Sequence, residues 1–193
     1  VDSVAANLRT EAQVARAAVA DLDDFKKRNN LTRQVRKDDR LLLVSLSMLV
    51  FVIEGFTNSA FFGESNVMGI LGGAVIAYLY ALVDIFVVSG LGYFSKNVNS
   101  TGDRRKILGW IAIVGATIWV VGYNLLVAHY RNIASQIVDN VELESFAKFI
   151  DSPFGLDQTS SWALFALGSV YSILAFTSAY IFDDPFPEYG RIS

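Results

Sequence analysis

Apolar positions gather into four long runs, at 41–62, 67–94, 107–130 and 161–182, separated by short polar segments. A hydrocarbon core of ~30 Å needs ~20 mostly apolar helical residues. Each run meets that length and is almost free of charge, so the pattern predicts four membrane-spanning helices and an all-α polytopic membrane protein. Ahead of them, residues 1–28 hold helix formers and neither Gly nor Pro. A heptad fits this stretch, with Val1, Leu8, Ala15 and Leu22 at one seam position and Val4, Glu11, Ala18 and Phe25 at the other. Seven of these eight are apolar, the spacing of a short coiled coil, with Glu11 as a polar interruption. An amphipathic helix on the membrane surface or against a neighbouring subunit fits the same pattern. Both readings call for a partner, because an isolated helix of this length is marginal in water.

The chain thus divides into a cytoplasmic amphipathic helix and basic juxtamembrane segment (1–40), a four-helix transmembrane domain (41–182) and a tail (183–193). Within the domain, 131–160 is an outer segment too polar to span. There Ile133, Ile137, Val141 and Phe146, extended by Val138 and Phe149, predict a helix with one apolar face, capping the bundle. Its opposite face carries Asp139, Glu142 and Glu144, which reads either as an acidic vestibule over a cation path or as an acidic interfacial helix.

Charge orients the spans. Nine of the first 40 residues are Lys or Arg, and Lys96, Arg104, Arg105 and Lys106 lie between spans two and three. The turn between spans one and two has no base and one acid, Glu64. The outer segment has two bases, Arg131 and Lys148, against five acids. Basic loops stay in the cytoplasm, so both termini are expected inside, with a bacterial inner membrane as the expected setting. The basic run at 26–40 would meet anionic lipid headgroups. Interspersed aspartates argue against nucleic acid as a partner.

Small residues mark helix contacts. Gly69, Gly73, Ala77 and Ala81 recur every fourth position in span two, beside Gly72. Such residues let backbones approach closely in lipid. Span three has Ala112, Ala116, Gly115 and Gly122. Span four has Gly168, Ser172, Ala175 and Ala179. Phe86, Trp110, Trp119 and Phe165 exemplify the bulky faces, and Trp162, Tyr130, Tyr93 and Tyr180 fall near span ends, where interface aromatics belong. The stripes predict either packing within the chain or a homo-oligomer or membrane-complex subunit.

Two acids lie inside spans. Glu54 is about 20 Å from the cytoplasmic edge and Asp84 about 15 Å, at ~1.5 Å per helical residue. Intramembrane carboxylates are expensive and are by default functional candidates. With Asn58, Asn124 and Ser169 they form the candidate intramembrane polar set, able to bind a cation or carry a proton. The alternative is a structural acid hydrogen-bonded to Asn, Ser, Tyr or a carbonyl of another helix. His129, beside Tyr130 and Arg131, reads as an interface histidine. Glu64 near Asn66 reads as a turn acid, with cation contact as the sharper alternative.

No catalytic motif, phosphate loop, HExxH or CxxC occurs, and the chain has no cysteine. No enzyme activity, cofactor or metal is therefore expected. The layout of four spans with a glutamate in the first resembles small multidrug transporters, which are shorter, lack the cytoplasmic arm and carry a span-two pattern not found here. It also resembles, in topology only, the four-helix membrane subunits of bacterial anti-phage defence systems. Three functions stand as expectations. The first is a non-enzymatic oligomeric protein that forms or gates an ion-permeable path. The second is a scaffold or accessory subunit, including a defence effector. The third is a proton- or cation-coupled transporter using Glu54 and Asp84.

Overall fold

A computed structural model describes residues 2–34, 40–63, 66, 68–134, 136, 140–182, 184, 186, 187 and 189. Their regular structure is entirely helical: α1 (Asp2–Arg28), α2 (Arg40–Gly63), α3 (Gly69–Ser95), a 3-10 turn (Lys96–Asn99), α4 (Asp103–Ala134), α5 (Val141–Asp151) and α6 (Thr159–Ile181). Four helices are long and apolar enough to cross a membrane. The expected spans thus stand as α2, α3, α4 and α6, with α4 extending beyond both predicted ends.

Helices α3 and α6 pack together at the centre, and both touch α2 and α4, which flank them. The contact faces follow the helical period. Gly73, Ala77, Ala81, Asp84 and Val88 are buried on α3, and Leu164, Gly168, Ser172 and Ala175 on α6. Residues three and four apart lie on one helix face, so each set forms a single stripe. Away from these stripes, Phe86 on α3 and Trp110 on α4 point outward, as a bilayer-facing surface requires.

The stripe on α3 seals α2 by direct backbone contact. A Cβ on Gly73 would lie 2.3 Å from the Gly63 nitrogen and 2.7 Å from the Ser59 carbonyl oxygen. This contact is within the chain. Gly69 plays a different part from the packing role expected of it. It opens α3 at φ +59° with free space around it, a conformation glycine adopts without strain. Asn66 braces the same turn, its side chain accepting from the Met68 amide at 2.9 Å.

The outer segment differs from expectation. Ile133 belongs to α4, where it is buried, while Ile137, Val138 and Asp139 lie outside the described residues, as does Glu64. Asn140 caps α5 by accepting from the Leu143 amide at 3.2 Å. From that start the i, i+4 period turns Val141, Ser145 and Phe149 inward toward α4, leaving Phe146 exposed rather than on the packed face.

At the opposite end, α1 closes with Asn30 at φ +52°, a left-handed position asparagine tolerates. Its last turn is held by the C-terminal tail. Phe25 is buried against the rings of Phe186 and Tyr189, at 5.9 Å from each. Arg33 pairs with the buried carboxylate of Asp184 and lies over the Tyr189 ring. The Tyr189 hydroxyl donates to the Arg33 carbonyl. Thr101, after the 3-10 turn, donates to Asn29 at 3.2 Å. The end of α1, the α3–α4 connection and the tail therefore share one end of the bundle.

Candidate intramembrane polar site

Four-residue spacing puts Glu54, Asn58 and Phe62 on one face of α2, and all three are turned inward, at 3%, 5% and 2% exposure. Asp84 faces them from α3 at 1% exposure. The two acids lie within electrostatic range of each other and of Tyr123 on α4. Among the described residues no hydrogen bond joins the two carboxyls directly.

Asp84 is held from two sides. The Trp119 indole N–H donates to Oδ1 at 2.9 Å, and the Ser172 hydroxyl donates to Oδ2. Asn124 donates to Ser172 Oγ at 2.9 Å and to the Val120 carbonyl at 2.9 Å. Asp84 thus ties α3 to α4 and α6. Gly168 makes this possible, because a Cβ there would lie 2.0 Å from the Asn124 side-chain oxygen. Trp119, one of the bulky residues of span three, turns its indole N–H inward because the carboxylate offers a partner that lipid cannot.

Glu54 is in the opposite condition. Its Oε2 is buried and without a hydrogen-bond partner, and so are Asn58 Oδ1 and Ser169 Oγ. Three of the five candidate polar residues therefore carry an unpartnered buried oxygen, and the other two, Asp84 and Asn124, are bonded into one network. Unpaired buried polar groups are uncommon in folded proteins, and each calls for an explanation.

Above this layer, toward the α5 end, Phe62, Ala77, Val127 and Leu164 close the core. Tyr130 packs there against Phe62 and Tyr80, at 6.0 and 5.6 Å. Glu142 of α5 is within electrostatic range of Tyr80 and Tyr130. Tyr123 donates to the Tyr80 carbonyl at 2.9 Å.

A second polar cluster was not singled out in the sequence. His129 is 1% exposed, with Nε2 bonded to the Pro153 carbonyl at 2.9 Å, so it is buried rather than interfacial. Arg131 donates to the Gln158 side chain. Asn132 accepts from the Gln158 amide at 3.2 Å and reaches Asp157 at 3.4 Å. This cluster fastens the α5–α6 connection to α4. The signal for it is that 132 and 133 carry the buried α4 stripe of 125, 128 and 129 past the apolar run. Among the described residues no three His, Asp or Glu side chains gather as a metal site.

The chain matches no protein-family model, no curated protein and no solved structure.

Proposed function

We propose that this is a non-enzymatic integral membrane protein that forms or gates a path for a proton or small cation, with Glu54 as the group on which the ion sits. The observation that carries the reading is the pair of buried, unpartnered oxygens on Glu54 and Asn58, one turn apart at membrane depth. A carboxyl oxygen and an amide carbonyl are hard ligands suited to a proton or an alkali or alkaline-earth cation. Asp84, held by Trp119 and Ser172, adds charge nearby while serving the fold. Both termini lie on the cytoplasmic face of a bacterial inner membrane in this reading, supported by nine Lys or Arg in the first 40 residues.

The test is cation and proton flux through purified protein in proteoliposomes or planar bilayers. Wild type should conduct, and Glu54→Gln should reduce flux by about tenfold or more, equivalent to at least ~1.4 kcal/mol at the limiting step. Absence of flux under every cation and pH condition, or full flux in Glu54→Gln, contradicts the proposal.

A scaffold or accessory role is the second reading, favoured by the long exposed surface of α1. Stoichiometric foreign subunits after mild extraction would favour it. The third, a coupled transporter, would require substrate uptake that depends on Glu54.

A further inference from the structure

At the end of the bundle that holds the tail, α2, α3 and α6 leave a groove of about 410 Å³ between them, lined almost wholly by apolar atoms. On α3 it runs from Leu82 to Tyr93, ~16 Å along the helix at ~1.5 Å per residue. One leaflet of a hydrocarbon core of ~30 Å is ~15 Å deep. The groove therefore spans one leaflet, from near the midplane to the headgroup edge. Water does not fill so apolar a space. Left empty, it would forfeit the contacts of every atom that lines it. A lipid chain or another helix therefore occupies it.

The rim decides between these two. Helices that associate in lipid do so over small residues, which let backbones approach. Here Met48 on α2 and Leu82, Phe86 and Tyr93 on α3 stand at the rim, each more than half exposed. Lys96 steadies Tyr93, its ammonium lying 4.7 Å from the ring centroid. Such bulky side chains hold a second backbone away from the floor, whereas one flexible acyl chain passes between them.

The floor carries an independent signal. Ser89 and Ser178 line it, and Ser178 is only 5% exposed. Thr57, Thr117 and Thr177 turn their hydroxyls back onto the carbonyl four residues earlier, which satisfies a hydroxyl within a helix. Among the described residues no such bond holds Ser89 or Ser178. Each lies four residues before the headgroup end of the groove, at Tyr93 and Phe182, or ~6 Å along its helix. That puts both within reach of the ester carbonyls that join acyl chains to glycerol, and a carbonyl is the acceptor each hydroxyl lacks.

We propose that this groove binds one phospholipid of that leaflet, with an acyl chain along α3 beneath the rim and its ester carbonyls accepting from Ser89 and Ser178. The site is independent of the path through Glu54, so flux measurements and the following test fail separately.

Full-length protein is reconstituted in phosphatidylcholine vesicles with a trace of phosphatidylcholine that carries a diazirine on one acyl chain, then extracted in mild detergent before photolysis. Lipids that merely surround the spans exchange into detergent, and a lipid in the groove stays. Mass spectrometry should show a phospholipid retained on the protein, with adducts at groove residues such as Phe51 and Phe86 and not at Ile118, on the exposed surface of α4. Ser89→Phe fills the floor and should lower retention at least about tenfold. Leu82→Trp, at the exposed rim, should do the same without touching a packed face, so the outcome does not depend on the folding of Ser89→Phe. Ser89→Ala and Ser178→Ala leave the groove open and should lower retention about twofold to tenfold per hydrogen bond lost. Val75→Leu, exposed on α3 outside the groove, should change nothing. No retained lipid in the wild type, adducts spread evenly onto Ile118, or undiminished retention in Leu82→Trp would each overturn the proposal. The chain has no cysteine, so Leu82→Cys tests the other occupant. Rapid disulfide homodimer formation by this variant in the same vesicles would seat a second copy in the groove and overturn the proposal as well.

Discussion

Gly73 and Glu54 sit on facing helices and make opposite demands on the fold. At Gly73 the neighbour is backbone, so no rotamer of an added side chain can relieve the 2.3 Å approach to Gly63. Gly73→Ala should cost ~1–3 kcal/mol, and Gly73→Leu more, read as lower thermal stability in detergent. Val75→Leu, at an exposed position of the same helix, should be neutral. At Glu54 the cost already stands in the wild type, because a buried carboxyl oxygen lacks a partner. Glu54→Leu should therefore raise thermal stability while abolishing the proposed ion flux. Ser172→Ala should do the reverse to stability, lowering it by ~1–3 kcal/mol, because it strips a hydrogen bond from buried Asp84 and from Asn124. If Glu54→Leu and Ser172→Ala destabilise equally, the division of labour between the two acids is wrong. The Gly73 stripe and both acids were legible in the sequence, since four-residue spacing and charge within an apolar run are local properties. Which acid would be satisfied was not. That depends on Trp119 and Ser172 arriving from α4 and α6, and periodicity does not specify neighbour order.

At the scale of elements, α1 and the tail are held together by a few side chains. Phe25→Ala removes the ring that Phe186 and Tyr189 enclose, and should increase proteolysis and amide exchange at 29–34 without changing the spans. The pair of Arg33 with Asp184 should respond little to base. The hydrogen bonds that Arg33 donates to Asp184 hold its guanidinium above the usual arginine range. A group whose pKa rises on folding stabilises the fold below its unfolded pKa and loses that contribution only as pH climbs past the folded value. On the arginine side, the contact should hold unchanged between about pH 6 and 9, followed by exchange at 29–34. A loss of protection within that range would show that another group governs the clamp. This element was hidden in the sequence. Asp184, Phe186 and Tyr189 form no periodic pattern, and an acidic tail gives no sign of docking. The outer helix was legible in kind but not in phase. Residues 133–149 were read as one stripe, whereas α4 runs on to Ala134 and α5 restarts at Val141, shifting Phe146 outward.

At the scale of the molecule, the central α3–α6 pair carries the stripes, and α2 and α4 bring Glu54 and Asn124 to it from opposite sides. The four spans were legible because lipid imposes a length and a composition on each. The outer cluster of His129, Arg131 and Asn132 was not, because polar residues past a span end look alike whether they face water or protein. In the proposed function Glu54 is the responsive carboxyl and Asp84 the fixed one. Infrared difference spectroscopy of full-length protein in liposomes, with pH and cation composition changed, observes the two carboxyls directly. A carboxyl band that responds to these changes, disappears in Glu54→Gln and persists in Asp84→Asn is the predicted result. A responsive band that survives Glu54→Gln, or no responsive carboxyl at all, would contradict it.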